Sequence, residues 1–333
     1  MYRYNYIILG SGWDLYRHAY SDIIGLSNVK YYKRPVENHV LNLIHRIHTN
    51  QLINSIVSIP GKKWWNYLYY NTKFDEPRPL CFIIFYDWYL MNNGVISHIR
   101  AKYPHSKIVV VFSDLVDAKV MRYTNAPVDM EYIKKESDFV VSFDFKDAEK
   151  YGIVYHNVPY SVHEPKFENK SDKNVDVYFI GQAKDRLEKI MDVFYCLKRH
   201  GLSLNFILSN VPEDKRIVSN EITYLDGIKL SYDENLQNVI NAGCILEILQ
   251  KGGTGYTVRT LEAVAYGRKL LTDNSYIMQA PFYSQSCVSF FRNPNDIDVG
   301  FLSGIVPGET VDYHYKEKLS PKEFLNFIES NIS

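Results

Sequence analysis

At 333 residues the chain has the length of about two domains, and its 46% hydrophobic and 23% charged content is that of an ordinary packed protein, which excludes disorder as the main theme. Lys plus Arg (38) equals Asp plus Glu (38), so the basic surplus of a protein that lives on nucleic-acid phosphates is missing and no nucleic-acid partner is expected. Cys81, Cys196, Cys244 and Cys287 are far apart in apolar runs, without the spacing of zinc ligands, and read as buried thiols of a reducing compartment.

No apolar run has the length of a signal-peptide core or a membrane span, which points to a cytoplasmic protein. Within residues 1–160, short apolar runs at 4–9, 80–86, 107–112 and 138–142 alternate with helix-like stretches, the pattern of an α/β domain. The first run leads into Gly10-Ser-Gly12-Trp-Asp14-Leu15. This opens like a dinucleotide fingerprint, but Leu15 stands where the third glycine belongs, so it reads as a tight turn that brings Asp14 and His18 toward a ligand. Residues 62–73, from Lys62-Lys-Trp-Trp to Lys73, interleave bases with aromatics; they suit either an aromatic helix with a basic edge or peripheral contact with a membrane surface. Two further runs end in acids, Asp87 and Asp114. Parallel sheets take ligands at the carboxyl ends of their strands, so both are candidate acid or base groups. For Asp114 a helix-capping role competes, while Asp87 sits beside Trp88 and Tyr89, apolar neighbours that could raise its pKa.

Residues 157–174 are polar, contain Pro159 and Pro165 and lack periodicity, which places a linker at 161–174. A second α/β domain follows over 175–310. Strand 175–181 precedes a helix marked by Leu187, Ile190, Met191, Phe194 and Leu197; strands at 204–208 and 222–225 come next. Ser231-Tyr-Asp-Glu234 is a capping box, and Asn241-Ala-Gly243 closes the helix it opens. Strand 244–249, loop 250–255, helix 256–266 and strand 269–272 complete another unit. Ser320-Pro-Lys-Glu323 then starts a terminal amphipathic helix within the tail 311–333.

The loop 250–255 carries the densest chemistry. A Gly-rich turn between a buried strand and a helix offers backbone N–H groups and the positive end of a helix dipole to phosphate oxygens. Lys251, Gly253, Thr254, Gly255 and Arg259 lie on it or just beyond, and Glu262, about two turns on, could bond both hydroxyls of a ribose. The GxxxxGK[ST] phosphate loop is absent, so ATP-driven chemistry gains no support. Asp296-Ile-Asp298 spells a metal-binding DxD, but its Asn293-Pro setting reads as a turn and helix start, and no metal site is expected.

Over residues 175–275 the sequence resembles the second domain of GT-B glycosyltransferases, especially bacterial enzymes of lipopolysaccharide and capsular polysaccharide assembly. The strand ending Phe179-Ile-Gly181 and the helix Thr260-Leu-Glu262-Ala-Val-Ala-Tyr-Gly267 carry the likeness. It implies two Rossmann-like domains facing a cleft. It also implies Lys184 and Arg186 on the donor diphosphate, Glu262 on the donor ribose, and a terminal helix packed back on the N-terminal domain. The implied activity is sugar transfer from a nucleotide-diphosphate donor to a glycan or lipid-linked acceptor. The nucleotide sugar is then a substrate, and no cofactor is implied. Many retaining members carry a second glutamate where this chain has Thr254, so a retaining mechanism does not carry over. An inverting enzyme needs a base, and Asp87, then Asp14, are the candidates in the variable first domain. A nucleotide-sugar epimerase and a non-catalytic sugar-nucleotide or glycan-binding protein are the alternatives.

Overall fold

Parallel strands buried on both faces need near-continuous apolar sequence, and the strands of this chain have it. The computed structural model describes residues 2–10, 14–32, 38–49, 56–57, 60–61, 64–65, 72–86, 95–119, 128–163, 174–227 and 230–332. They divide into two compact units, Met1–Ser161 with Ser320–Ser333, and Val162–Leu319.

The first unit is built on a parallel sheet of β1 (Asn5–Leu9), β2 (Val29–Tyr32), β3 (Leu80–Phe85), β4 (Lys107–Phe112), β5 (Phe139–Ser142) and β6 (Val154–Tyr155). Their spatial order is β2-β1-β3-β4-β5-β6, with Ile7 beside Phe82 and Phe82 beside Ile108. Ile7, Leu9, Phe82, Ile84, Ile108 and Val110 share one core with Val95, Ile96 and Ile99 of the Val95–Lys102 helix. From β1 the chain moves to β2 on one side and then crosses to β3 on the other, so the β1/β3 junction is a topological switch point.

The terminal helix Pro321–Asn331 belongs to this unit. Ser320 caps it by accepting from the Lys322 N–H, and its own hydroxyl donates to Asp22 at 2.9 Å. Glu323, in the first turn, accepts from Asn326 through Oε1 at 3.3 Å. Phe324, Leu325 and Ile328 are buried, each contributing about 1.5–3 kcal/mol of hydrophobic stabilisation. The rings of Phe324 and Phe327 both pack against His156, with centroids at 5.0 and 4.4 Å.

The second unit holds β7 (Val175–Gln182), β8 (Leu204–Ser209), β9 (Ile222–Leu225), β10 (Ala242–Glu247), β11 (Lys269–Thr272) and β12 (Val288–Phe290), all parallel. Their order is β12-β11-β10-β7-β8-β9, that of a doubly wound dinucleotide-binding sheet. The Leu187–Arg199 helix buries Ile190, Val193, Phe194, Cys196 and Leu197, as its spacing requires, whereas Met191 is only half-buried. The capping box at Ser231 and Glu234 is formed, and the Tyr232–Asn241 helix that it starts carries the chain across to β10. This crossover makes the β7/β10 junction the switch point of the second sheet. Helix Val258–Tyr266 starts two residues later than the sequence suggests, with Thr257 as its N-cap.

Candidate functional site

Every donor-site candidate from the sequence lies on one of two segments, the one leaving β7 or the one leaving β10, and these are the two strands at the switch point of the second sheet. Gly181 is in β7 and Lys184 and Arg186 form the turn after it. Lys184 adopts φ 43°, a left-handed conformation uncommon for a side chain of its size, and its ammonium donates to Gln250 Oε1 at 2.9 Å. Arg186 donates through Nε to the Gln182 carbonyl at 3.1 Å and through Nη1 to the Ile248 carbonyl, so one guanidinium ties the ends of β7 and β10 together. Burial lowers its pKa, and the charges of Asp273, Asp185 and Glu247 oppose that effect.

The loop after β10 turns at Gly252, whose φ of 88° suits a residue without a side chain. Lys251 is exposed, Gly253 is half-buried, and Thr254 and Gly255 are buried. Asn274, just past β11, donates from Nδ2 to the carbonyls of both Thr254 and Gly255, 3.2 Å each.

Glu262 does not present its carboxylate to solvent. It has no exposed surface, and Oε1 accepts from Tyr232 at 2.9 Å and Asn235 at 2.8 Å. Oε2 lies 2.7 Å from Arg259 Nη1, off the line of a good hydrogen bond, and forms an ion pair. Burial raises the carboxyl's pKa, while Arg259, Tyr232 and Asn235 oppose the rise. Both carboxylate oxygens of Glu262, the residue the sequence puts forward for the two hydroxyls of a ribose, are thus engaged, one by Tyr232 and Asn235 and the other by Arg259.

Several site residues escaped the sequence. Glu247, 1% exposed, ends β10 and collects hydrogen bonds from Thr257, Thr260 and Thr272. Lys189, in the first turn of its helix, pairs with Asp273 at 2.7 Å, and Asp273 also accepts from the Leu249 N–H. A lone carboxylate inside the apolar run 244–249 was the only signal for Glu247.

Asp87 lies outside the described residues; Asp14 opens the Asp14–Ala19 helix, with its side chain outside them. In sequence they follow β3 and β1, the two strands of the first switch point. Asp114 pairs with Lys119 at 3.0 Å and accepts from the Leu115 N–H. The Gly10 backbone meets the Tyr31 phenol so closely that a Cβ there would lie 2.3 Å from Tyr31 Oη, a packing reason for the glycine that needs no dinucleotide. Of residues 62–73, only Trp64, Trp65 and 72–73 are described, and Trp64 is exposed. Asp296 accepts from Asn293, and Asp298 caps the Val299–Ser303 helix. Among the described residues no group of three or more His, Cys, Asp or Glu side chains is arranged to hold a metal ion, and no helix is long and apolar enough to cross a membrane.

No protein-family model matches the sequence, and no curated protein matches it. Among solved structures the chain is similar to AviGT4, a glycosyltransferase involved in avilamycin A biosynthesis, with 10% identity and a TM-score of 0.54 over 98% of this chain and 96% of that one. Weaker likenesses are to a glycosyltransferase from Rickettsia africae (8% identity, TM-score 0.48, 99% and 98% covered) and to TarM (11% identity, TM-score 0.44, 76% of this chain covered). The chain spans about half of TarM's length, 51%. Identity this low establishes the fold alone, two Rossmann-like units of the GT-B type.

Proposed function

We propose that this chain is a glycosyltransferase that binds a nucleotide-diphosphate sugar on its second unit and an acceptor glycan or lipid-linked sugar on its first. The observation that carries the reading is the meeting of a Gly-rich strand-to-helix loop with Arg186 at the switch point of a doubly wound sheet. That junction is where such sheets take phosphorylated ligands. Lys184, Arg186, Lys251 and the start of the Val258–Tyr266 helix then stabilise the charge that builds on the departing diphosphate, with Arg259 beside them. Gly181, Gly253, Thr254 and Gly255 let the phosphates approach the backbone. Glu262 receives the ribose hydroxyls once Arg259 swings from Oε2 toward the diphosphate.

Thr254 stands where many retaining members of the resembled family carry a second glutamate, which favours inversion at the anomeric carbon. Inversion requires a base to take the acceptor hydroxyl's proton as the glycosidic bond forms, and Asp87, followed by Asp14, is the candidate. The pathway proposed is assembly of a cell-surface polysaccharide in the cytoplasm, with residues 62–73 touching the membrane that carries a lipid-linked acceptor.

The test is donor turnover with and without acceptor sugars, in buffer containing EDTA. Release of nucleoside diphosphate that depends on acceptor and survives chelation is expected. Conversion of donor alone into an isomer would make the chain an epimerase; binding with no turnover would make it a sugar-nucleotide receptor. Loss of turnover restored only by Mn²⁺ or Mg²⁺ would overturn metal independence.

A further inference from the structure

We propose that Glu247 and Asn274 are positioning residues for the donor phosphates: together they set the direction in which the loop between β10 and the Val258–Tyr266 helix aims its N–H groups. The inference rests on the diphosphate reading above.

Glu247 is the hub. Its Oε1 accepts from Thr257 Oγ1 at 2.5 Å, Thr260 Oγ1 at 2.8 Å and the Thr257 N–H at 3.3 Å; its Oε2 accepts from Thr272 Oγ1 at 2.6 Å. Each hydroxyl has one proton, and spending it on Glu247 fixes what the oxygen's lone pairs face. For Thr257 they face the Arg259 N–H at 3.2 Å, the bond that caps the helix. For Thr272 they face the Asn274 N–H at 3.0 Å.

Asn274 carries the orientation into the loop. Its Oδ1 accepts from the Tyr276 N–H at 3.1 Å, which assigns Nδ2 to the loop side, where it donates to the Thr254 and Gly255 carbonyls. A trans peptide is planar with C=O and N–H opposed. Turning the carbonyls of residues 254 and 255 toward Asn274 therefore turns the N–H groups of Gly255 and Tyr256 the other way. Two successive N–H vectors with a fixed common direction are what an anion-binding loop requires.

A fully buried carboxylate is costly, and a well-packed apolar residue often serves stability as well or better. Its presence beneath a phosphate loop is explained by orientation: burial raises its pKa, while the bonds from Thr257, Thr272 and Thr260 oppose the rise and favour the accepting carboxylate.

The test uses Thr272→Val, which keeps the packing and removes the link between Glu247 and Asn274, together with Thr272→Ser, Asn274→Ala and Glu247→Gln. Calorimetric titration with inorganic pyrophosphate and with ADP, GDP, CDP, UDP and dTDP is read beside the ligand-free melting temperature. Thr272→Val and Asn274→Ala should weaken pyrophosphate and the bound nucleoside diphosphate by the same factor, about tenfold, the scale of one well-placed hydrogen bond. Thr272→Ser should recover most of the affinity, and Glu247→Gln should fall between. If Asn274→Ala or Glu247→Gln does not fold, the Thr272 pair decides. Lower melting temperatures with wild-type affinities would reduce both residues to scaffold and overturn the proposal. A wild-type chain that binds neither pyrophosphate nor any of the five diphosphates would overturn the donor reading itself, and the proposal with it.

Discussion

Arg259 Nη1 lies 2.7 Å from the Glu262 carboxylate, three residues on in the same helix, and 2.9 Å from Asn235 Oδ1. The carboxylate has no exposed surface: Arg259 covers one of its oxygens, and Tyr232 and Asn235 cover the other. Glu262→Gln should weaken a nucleoside diphosphate by about tenfold or more and leave pyrophosphate within about twofold, since only the former carries ribose hydroxyls to hydrogen-bond. Calorimetric titration of both ligands checks it. Equal losses would mean that Glu262 serves only to hold Arg259.

Arg186 joins the ends of β7 and β10 through the carbonyls of Gln182 and Ile248. Arg186→Met keeps much of the stem and removes the charged donors. It should cost about 1.5–3 kcal/mol of stability, the range for hydrogen bonds to a charged group, and should weaken pyrophosphate as well. Denaturant unfolding and titration measure the two effects. Unchanged stability would contradict the clasp, and unchanged affinity the phosphate role.

His156 donates from Nδ1–H to the Asn157 carbonyl at 2.7 Å, and its ring packs against Phe324 and Phe327. Burial holds its pKa below the ordinary 6.5, so protonation favours the unfolded chain. The stability it confers is complete above the unfolded value and is lost as pH falls through the folded one. The melting temperature should drop as pH falls below about 6.5, and His156→Phe should flatten that drop. An identical slope in the variant would remove His156 from the account.

Asp87→Asn and Asp14→Asn should be compared at saturating donor. If one is the base, its loss lowers turnover by about 10²- to 10⁴-fold and leaves donor affinity intact, with Asp87→Asn the larger effect. Near wild-type turnover in both variants would place the base elsewhere or remove the need for one.

Much of the fold was legible because its signals are local. Lys107–Phe112, Ile222–Leu225 and Lys269–Thr272 are apolar runs with the length of buried strands, and Ser231 and Glu234 spell a cap within four residues. β2, β6 and β12 were missed: Val29–Tyr32, Val154–Tyr155 and Val288–Phe290 are short, and only three of their nine residues, Val29, Val288 and Ser289, are buried. Gly243 looked like a helix stop. It is instead inside β10, where a Cβ would lie 2.8 Å from the Val306 carbonyl, so a segment more than sixty residues later dictates the glycine. The candidates from Lys251 to Glu262 were readable as a set because they are contiguous in sequence. The burial of the donor candidates was not, since Glu262 is covered by Tyr232 and Asn235 and Arg186 is bound by Ile248, partners that sequence spacing cannot reveal.

The central claim is that the second unit binds a nucleoside diphosphate, and equilibrium titration of the wild-type chain with ADP, GDP, CDP, UDP and dTDP tests it most directly. One of the five should bind with one-to-one stoichiometry. At about a hundred times its dissociation constant it should stabilise the folded chain by about 2.7 kcal/mol, seen as a higher melting temperature that Arg186→Met and Glu262→Gln diminish. Absence of saturable binding by all five at concentrations of about 5 mM, where even a Kd near 1 mM would register, would contradict the account.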